Sequence, residues 1–600
     1  MIPVRATGLL RAFAEAGVLA EADVHVALRL ARLGGESTEE VLLAVALAVR
    51  GVRTGSVCVE LAEVAGSVVS DEDAPPVELA WPRSWDALQT SPLVAVGAQA
   101  PWRPLRLVDG LLYLDRYWQQ EQRVRRELDE RALGPAPTVD LGPLAALFPG
   151  QPAGGTDRQR LAAAVAATRW VSVVTGGPGT GKTHTVARLL RLLLDQGGPA
   201  PRIALCAPTG KAAARLQESV QEQAEELGLP AGLTASTLHR LLGWRPDSRS
   251  RFRHDARNHL PYDVIVVDES SMVSLTMMAR LLEAVRPAAR LVLVGDPDQL
   301  TPVEAGAVLS DLVHRPAPVA AGPPSTLEAG ADGDLDEEER RQLRNGVVRL
   351  RVPHRFGSGI GALAEAVRAG DADRVLDLLH AGGEVTLTDD VVGLRSEVVQ
   401  AAGELTRAAG AGQAEPALAL LSRHRLLCAH RHGPYGVSYW NQQVARWSGA
   451  PARHAGQWPA GTPLLVTAND DEARLYNGDT GVVVQTPDGL RAAFARPGGA
   501  QLLPLSRLAA AQPVHAMTVH RSQGSQYDAV TVLLPTQVSA ILTRELLYTA
   551  VTRARERVRV VGTDEAVRAA VERQVVRASG LRRVVGTAVY AAPGPSAAGG

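Results

Sequence analysis

The stretch from Val171 to Thr183 constrains the fold of this chain more than any other. A β-branched apolar run (Val171–Val174) opens into a loop of Gly176, Gly177, Pro178, Gly179, Thr180 and Gly181, and a helical pattern (Val186, Leu189, Leu190, Leu193) follows. Strand, loop and helix in that order, with Gly176, Gly181, Lys182 and Thr183 at G-x-x-x-x-G-K-[ST] spacing, describe a phosphate-binding loop. Glycines let the backbone approach a ligand closely. The helix starting near Lys182 aims unpaired N–H groups and a positive dipole end at a phosphate chain. Lys182 is expected to reach the terminal phosphates of ATP, and the Thr183 hydroxyl to ligate Mg²⁺. A glycine-rich turn with no ligand is the bland alternative; the flanking strand and helix tell against it.

From about 150 to 312, the strand-like runs Val171–Val174, Ile203–Ala207, Val264–Val267 and Leu291–Val294 alternate with helical patterns. This is the order of a parallel sheet with crossover helices, and the near-continuous apolarity fits strands covered on both faces. The third run ends in Asp268-Glu269, at the carboxyl end of a strand, where α/β sheets place their sites. Asp268 is expected to hold Mg²⁺ through its water shell, and Glu269 to orient or deprotonate an attacking water. The next run ends in Gly295-Asp296-Pro297-Asp298-Gln299-Leu300. There Gln299 either hydrogen-bonds a γ-phosphate or sits in a polar turn. Arg355 and Arg553 are candidates for stabilising transition-state charge, although periodicity alone leaves both as surface or salt-bridging residues. Of 63 lysines and arginines only Lys182 and Lys211 are lysine. A lysine kept in the phosphate loop marks a place for a slim point charge rather than a planar guanidinium, which draws attention to Lys211.

Residues 1–132 read as mostly helical, with a Ser37/Glu40 capping box before Val41–Val49 and a helical stripe of Tyr113, Tyr117 and Trp118. A turn-rich linker (133–150) leads into the first α/β domain (151–345). That domain ends in a Pro/Gly/Ala-rich and then acidic segment (about 314–345), expected to be a flexible surface insertion. A second alternating region spans 346–590. Inside it, about 450–512 has short alternating runs and turns at Asn477-Gly478-Asp479 and Pro487-Asp488-Gly489, expected to form an inserted small β-barrel. The tail 591–600 reads as disordered. Cys58, Cys206 and Cys428 are far apart, and Arg5, Arg11 and Glu15 interrupt any leader-like core, so a cytoplasmic protein with buried thiols and no membrane contact is expected. The net charge of −1 supplies no global field for a polyanion, which must be held in a local groove.

The order of motifs resembles superfamily 1 DNA helicases over nearly all of residues 155–565. Ala207–Ala213 looks like motif Ia, Ser236–His239 like motif Ib, Asp268-Glu269 like motif II and Gly295–Leu300 like motif III. Arg355 fits motif IV, Met517–Gly524 motif V and Tyr548–Arg555 motif VI. Within the superfamily, Gly176–Thr183, Leu426–Gly436, Asn477-Gly478-Asp479 and Thr518–Ser525 are most similar to the RecD family, the alpha chains of the bacterial RecBCD (exodeoxyribonuclease V) complex. The resemblance implies two RecA-like parallel-sheet motor domains, an N-terminal helical domain docking on RecB-like and RecC-like partners in a heterotrimer, and an inserted SH3-like barrel. It makes Gln159 the adenine-reading residue and Gln299 the γ-phosphate sensor, with Arg355 and Arg553 completing the ATP site from the second domain. It implies 5′→3′ movement along single-stranded DNA, in double-strand break repair. Candidate strand contacts are Thr209, Lys211 and His239 on the first domain and Thr518, His520 and Ser522 on the second, polar groups suited to phosphate and sugar. His184 after the loop and Arg521 in motif V depart from the usual residues.

A nuclease site is not expected in this chain. Both lysines are preceded two positions earlier by threonine (Thr180, Thr209), so the D/E-x-K arrangement of Mg²⁺-dependent nucleases is missing. A free-standing 5′→3′ helicase is the nearest rival, though the longer N-terminal extension of those proteins is not seen in residues 1–130. A nucleotide-binding assembly scaffold is a further alternative, opposed by the full set Lys182, Asp268, Glu269, Gln299, Arg355 and Arg553.

Overall fold

A computed structural model describes residues 6–67, 79–149, 156–245, 251–316, 334–352, 357–389, 391–449, 458–470, 472–496, 498–536, 539 and 541–583. The N-terminal unit opens with three helices, Gly8–Glu15, Glu21–Gly34 and Glu39–Arg53, packed around Phe13, Leu43 and Leu47. The stretch that follows, up to the helix Asp115–Leu133, is organised around strands instead. Cys58–Glu60, Leu111–Leu114, Leu105–Val108 and Val94–Val96 form a four-stranded sheet in that spatial order. Asp109 and Gly110, both at positive φ, turn Leu105–Val108 back into Leu111–Leu114, so an Asp-Gly hairpin signal decides this stretch. Tyr113 therefore lies in a strand, and only Tyr117 and Trp118 belong to the helix Asp115–Leu133. The expected Ser37/Glu40 capping box does not form either. Thr38 is the N-cap without a side-chain bond, and the Glu36 carboxylate accepts from the Ser37 and Thr38 N–H groups.

The first lobe holds six parallel strands in the order Val347–Leu350, Val171–Gly176, Arg290–Gly295, Val264–Val267, Ile203–Ala207, Ala235–Thr237. Alternate residues of its central strands enter two separate cores: Ile265, Val267, Leu291 and Leu293 on one face, Val264, Val266, Val292 and Val294 on the other. Both faces are covered, as continuous apolar runs require. Val347–Leu350 pairs beside the phosphate-loop strand, so the lobe runs past the expected boundary at 346. The expected insertion is partly ordered as well. Asp336 and Glu339 form a reciprocal capping box at the start of helix Glu337–Arg344, Leu343 is buried, and Arg158 pairs with Asp334 and Glu339. Residues 317–333 lie outside the described residues, as do 450–457 and the tail 591–600.

The second lobe has five parallel strands in the order Val385–Thr388, Ala554–Val561, Tyr527–Leu533, His424–Cys428, Ala516–Thr518. Between its helix Val437–Trp447 and its strand Ala516–Thr518 sits a five-stranded antiparallel sheet, ordered Gly499–Pro504, Gly489–Arg496, Thr480–Thr486, Pro463–Val466, Ala511–Pro513. It carries its own core of Leu464, Val466, Val483, Ala492 and Phe494. After the last helix, Asp564–Glu572, the chain turns back across the molecule. Ala578 O accepts from Val57 N–H, Gly580 N–H donates to Glu121, Arg582 pairs with Asp311, and Leu581 is fully buried against Tyr113 and Val124. This strap ties the second lobe to the N-terminal unit and to the first lobe. Among the described residues no helix is long and apolar enough to cross a membrane.

Candidate active site

The phosphate-loop strand Val171–Gly176 delivers the loop at the sheet's carboxyl edge, and helix Lys182–Leu194 begins from Gly181. Gly181 has φ 84, and a Cβ there would strike the Gln159 amide, so the position requires glycine. Gln159 sits on helix Arg158–Thr168, whose N-cap Asp157 accepts from the Gln159 and Arg160 N–H groups, and its own Nε2 donates to Thr180 O at 3.2 Å. Lys182 Nζ donates to Gly176 O at 2.7 Å and Gly177 O at 2.9 Å, which holds the ammonium over the loop.

The loop opens on a cleft of about 890 Å³ between the lobes. Gln159, Lys182, Thr183, Asp268 and Glu269 line it from the first lobe beside Gln299, and Arg553 and Arg555 from the second. Asp268 and Glu269 follow the strand Val264–Val267 directly, and Glu269 takes φ 49, a left-handed conformation costly for a side chain of this kind. Burial, then the adjacent Glu269 charge, raise the Asp268 carboxyl to about 6, against the pull of Lys182 and Arg215. Gln299 is 4% exposed: its Nε2 donates to Asp296 Oδ2 at 2.9 Å and its Oε1 accepts from Arg553 Nη2 at 3.1 Å. Arg553 is 3% exposed and also donates to Thr549 O at 3.0 Å and Ser525 O at 3.4 Å. Burial lowers its pKa, with the Glu269 and Asp296 carboxylates working against that. The structure therefore brings Gln159, the loop, Lys182, Thr183, Asp268, Glu269, Gln299 and Arg553 to one cleft. Arg355 lies outside the described residues.

The expected strand contacts fare differently. Thr209 caps helix Gly210–Gln221 through Ala212 N–H, and Thr518 caps the short turn Val519–Ser522 through Arg521 N–H. Thr518 is 7% exposed and Ser522 fully buried, its hydroxyl donating to Val519 O at 2.7 Å, so neither presents a hydroxyl to a surface groove. Lys211 is no surface cation either, since its ammonium is taken by Ser525 Oγ and Gly478 O of the second lobe. Periodicity gave no warning, because a helix facing another lobe has the polar pattern of one facing solvent. His239 is exposed and His520 partly so. Burial lowers the pKa of both.

Three residues of the site escaped the sequence reading. Asp296, 1% exposed, accepts from both Gln299 and the Tyr548 hydroxyl, at 3.1 Å for the latter; burial raises the pKa of both Asp296 and Tyr548. Arg215 reaches from the first lobe to Gly524 O and Gln526 Oε1 of the second. Tyr548 is the most legible of them, five residues before Arg553 and on the helix Arg544–Val551 that leads into it.

Known proteins agree with this architecture piece by piece. An AAA domain model matches residues 159–305, a UvrD-like helicase C-terminal domain model matches 513–561, and the RecBCD enzyme subunit RecD N-terminal domain model matches 15–113. The RecBCD enzyme subunit RecD of Mycolicibacterium smegmatis is 54% identical over 594 residues, covering 96% of this chain and 98% of that one. That of Haemophilus influenzae is 33% identical over 80% of this chain and 81% of its own. The ATP-dependent RecD2 DNA helicase of Deinococcus radiodurans is 32% identical over 67% of this chain but only 48% of its own length. A solved Pif1 helicase at forked DNA matches 68% of this chain and 93% of its own, at 15% identity and a TM-score of 0.37, too distant to add to the assignment. On the match from end to end, the chain belongs to the RecD family of RecBCD enzyme subunits.

Proposed function

We propose that this chain is the ATP-driven motor of a RecBCD-type helicase–nuclease, moving 5′→3′ on single-stranded DNA with RecB-like and RecC-like partners, and that it has no nuclease site of its own. The observation that carries the reading is the Arg553–Gln299 hydrogen bond, which puts a guanidinium of one lobe beside the phosphate loop and carboxylates of the other. ATP is the substrate of that cleft. Lys182 and the N–H groups at the helix start bind its phosphates. Glu269 orients the attacking water. Gln299 reports the γ-phosphate, and Arg553 stabilises charge that develops on it. Because the arginine comes from the second lobe, loss of the γ-phosphate removes one bridge between the lobes and lets the cleft open.

Mg²⁺ fits the residues present. Among the described residues the Asp268 carboxylate takes one hydrogen bond, from Glu269 N–H, and no cation is bonded to it. Thr183 and Asp268 would hold the ion, which supplies neutralising charge for the triphosphate. We assign 151–351 and 357–583 to the two RecA-like motors, the antiparallel sheet at 463–513 to an SH3-like barrel, and the protein to the cytoplasm. His239 and His520, exposed and half-exposed, are the members of the candidate set that would meet the strand. The free-standing helicase reading is weaker, because the chain spans 98% of the Mycolicibacterium smegmatis RecD subunit and 48% of the RecD2 helicase.

Strand displacement tests the proposal, using duplexes with a 5′ or a 3′ single-stranded tail, with and without the partner chains. ATP-dependent unwinding of the 5′-tailed substrate only is expected. Unwinding of the 3′-tailed substrate alone would reverse the polarity, and DNA digestion by the chain itself would defeat the nuclease-free assignment.

A further inference from the structure

Helix Gly210–Gln221 carries Lys211 and Arg215 four residues apart, on one face, and both cross to the second lobe. Lys211 Nζ donates to Ser525 Oγ at 2.6 Å and Gly478 O at 3.2 Å, while Arg215 donates to Gly524 O at 2.7 Å and Gln526 Oε1 at 3.2 Å. Three consecutive residues of the second lobe are thus held by two cations of the first. The same turn is held from its own side, since Arg553 donates to Ser525 O and onward to Gln299 Oε1. It is also continuous with 518–523, where Gln523 Nε2 donates to Leu300 O, next to Gln299. Arg215 lines the ATP cleft with Asp268 and Glu269.

We propose that Lys211 and Arg215 form a two-cation clamp that couples the turn 524–526 to Glu269 and Gln299, so that strand engagement by the second lobe is transmitted to hydrolysis. This deepens the motor reading and rests on it. Both are positioning residues, acting through the turn and not on the strand. The chemistry suits each task. A guanidinium fork meets two acceptors at once, while a slim ammonium enters the narrow gap between a hydroxyl and a carbonyl. A lysine surviving at 211 in an arginine-dominated chain is explained by that gap rather than by a phosphate contact.

The test uses the full chain with ATPase assays, with and without a dT oligomer, and anisotropy of a labelled dT oligomer across a salt series. Lys211→Met and Arg215→Gln are each expected to lower the DNA-stimulated kcat about tenfold, with KM for ATP and strand affinity within about twofold of wild type. The salt slope of strand binding should not change. Ser525→Ala, which removes an acceptor without touching either cation, should reproduce part of the loss, and Lys211→Met combined with Ser525→Ala should be no worse than Lys211→Met alone. Arg215→Lys should recover part of the stimulation. Weaker strand binding by Lys211→Met, with the salt slope reduced by about 0.7 as for one lost phosphate contact, would overturn the clamp. So would multiplicative losses in the double variant. A wild-type chain whose ATPase ignores DNA would instead bring down the motor reading, and that outcome is read without any variant.

Discussion

Replacing Arg553 by lysine keeps a positive charge and removes the fork. The guanidinium bonds Thr549 O through Nε, Ser525 O through Nη1, and Gln299 Oε1 and Thr552 Oγ1 through Nη2. A single lysine nitrogen cannot occupy three such positions, so it either stays with its own lobe or reaches towards Gln299 and the γ-phosphate. One charge-assisted hydrogen bond lost in the transition state is worth about 2–3 kcal/mol, and each ~1.4 kcal/mol is a factor of ten. Arg553→Lys should therefore lower the kcat of the DNA-stimulated ATPase by about 30- to 150-fold with little change in KM. Arg553→Ala, which also removes the charge, should lower it by about 10³ or more. The alanine variant also strands buried carbonyls, so its melting temperature should fall by more than that of the lysine variant. Rapid-mixing ATPase and thermal melts on the same preparations separate the two effects. An Arg553→Lys protein with wild-type kcat would show that the guanidinium does not reach the reacting phosphate.

Lys182→Ala should abolish measurable ATP turnover while leaving dT-oligomer binding detectable by anisotropy, because the lysine serves the phosphate chain and not the strand. Leu581→Ala should cost about 3–5 kcal/mol in urea unfolding, since the side chain is fully buried where the strap meets the N-terminal unit; a loss under 1 kcal/mol would mean the strap is not packed there. Glu121, which accepts from Gly580 N–H and the Tyr113 hydroxyl, is raised by burial to about 7. Its folded-state pKa lies above the unfolded one, so the protonated form is favoured in the fold. The associated stability is complete below about pH 4.5 and is lost as pH rises through about 7, with an upper bound on the order of 3 kcal/mol. Melting temperature should fall between pH 5.5 and 8, and Glu121→Gln should flatten that dependence; a variant as pH-sensitive as wild type would refute it.

The first-lobe half of the candidate site was legible because its residues sit at strand ends. Lys182, Asp268, Glu269 and Gln299 each follow an apolar run, and in a parallel sheet those runs end at one edge. Arg553 was legible only through motif order, since nothing in an arginine-rich sequence distinguishes it. Its rarity marks Lys211, and in the structure its ammonium bonds Ser525 Oγ and Gly478 O of the other lobe. Strand contacts and lobe contacts both call for a polar helix face, and sequence carries no record of what lies opposite. Thr518 caps a short turn and the Ser522 hydroxyl bonds Val519 O within it, a local use that competes with ligand contact for the same residue types. The N-terminal sheet was readable in principle from Asp109-Gly110 between two apolar runs, but the helical pattern on either side overrode it. Val347–Leu350 shows a further limit, as an isolated apolar run does not say which sheet it joins.

The central claim is that one triphosphate is shared by two lobes, and the distance between the lobes tests it most directly. The three native cysteines are buried, so Glu226→Cys on the first lobe and Glu565→Cys on the second, both exposed, give specific labelling sites. Fluorescence energy transfer between them should shift to a single closed population with a non-hydrolysable ATP analogue, and should fail to do so in Lys182→Ala and Arg553→Ala backgrounds. An unchanged distance distribution in the wild-type protein at saturating analogue, with binding verified, would contradict the account.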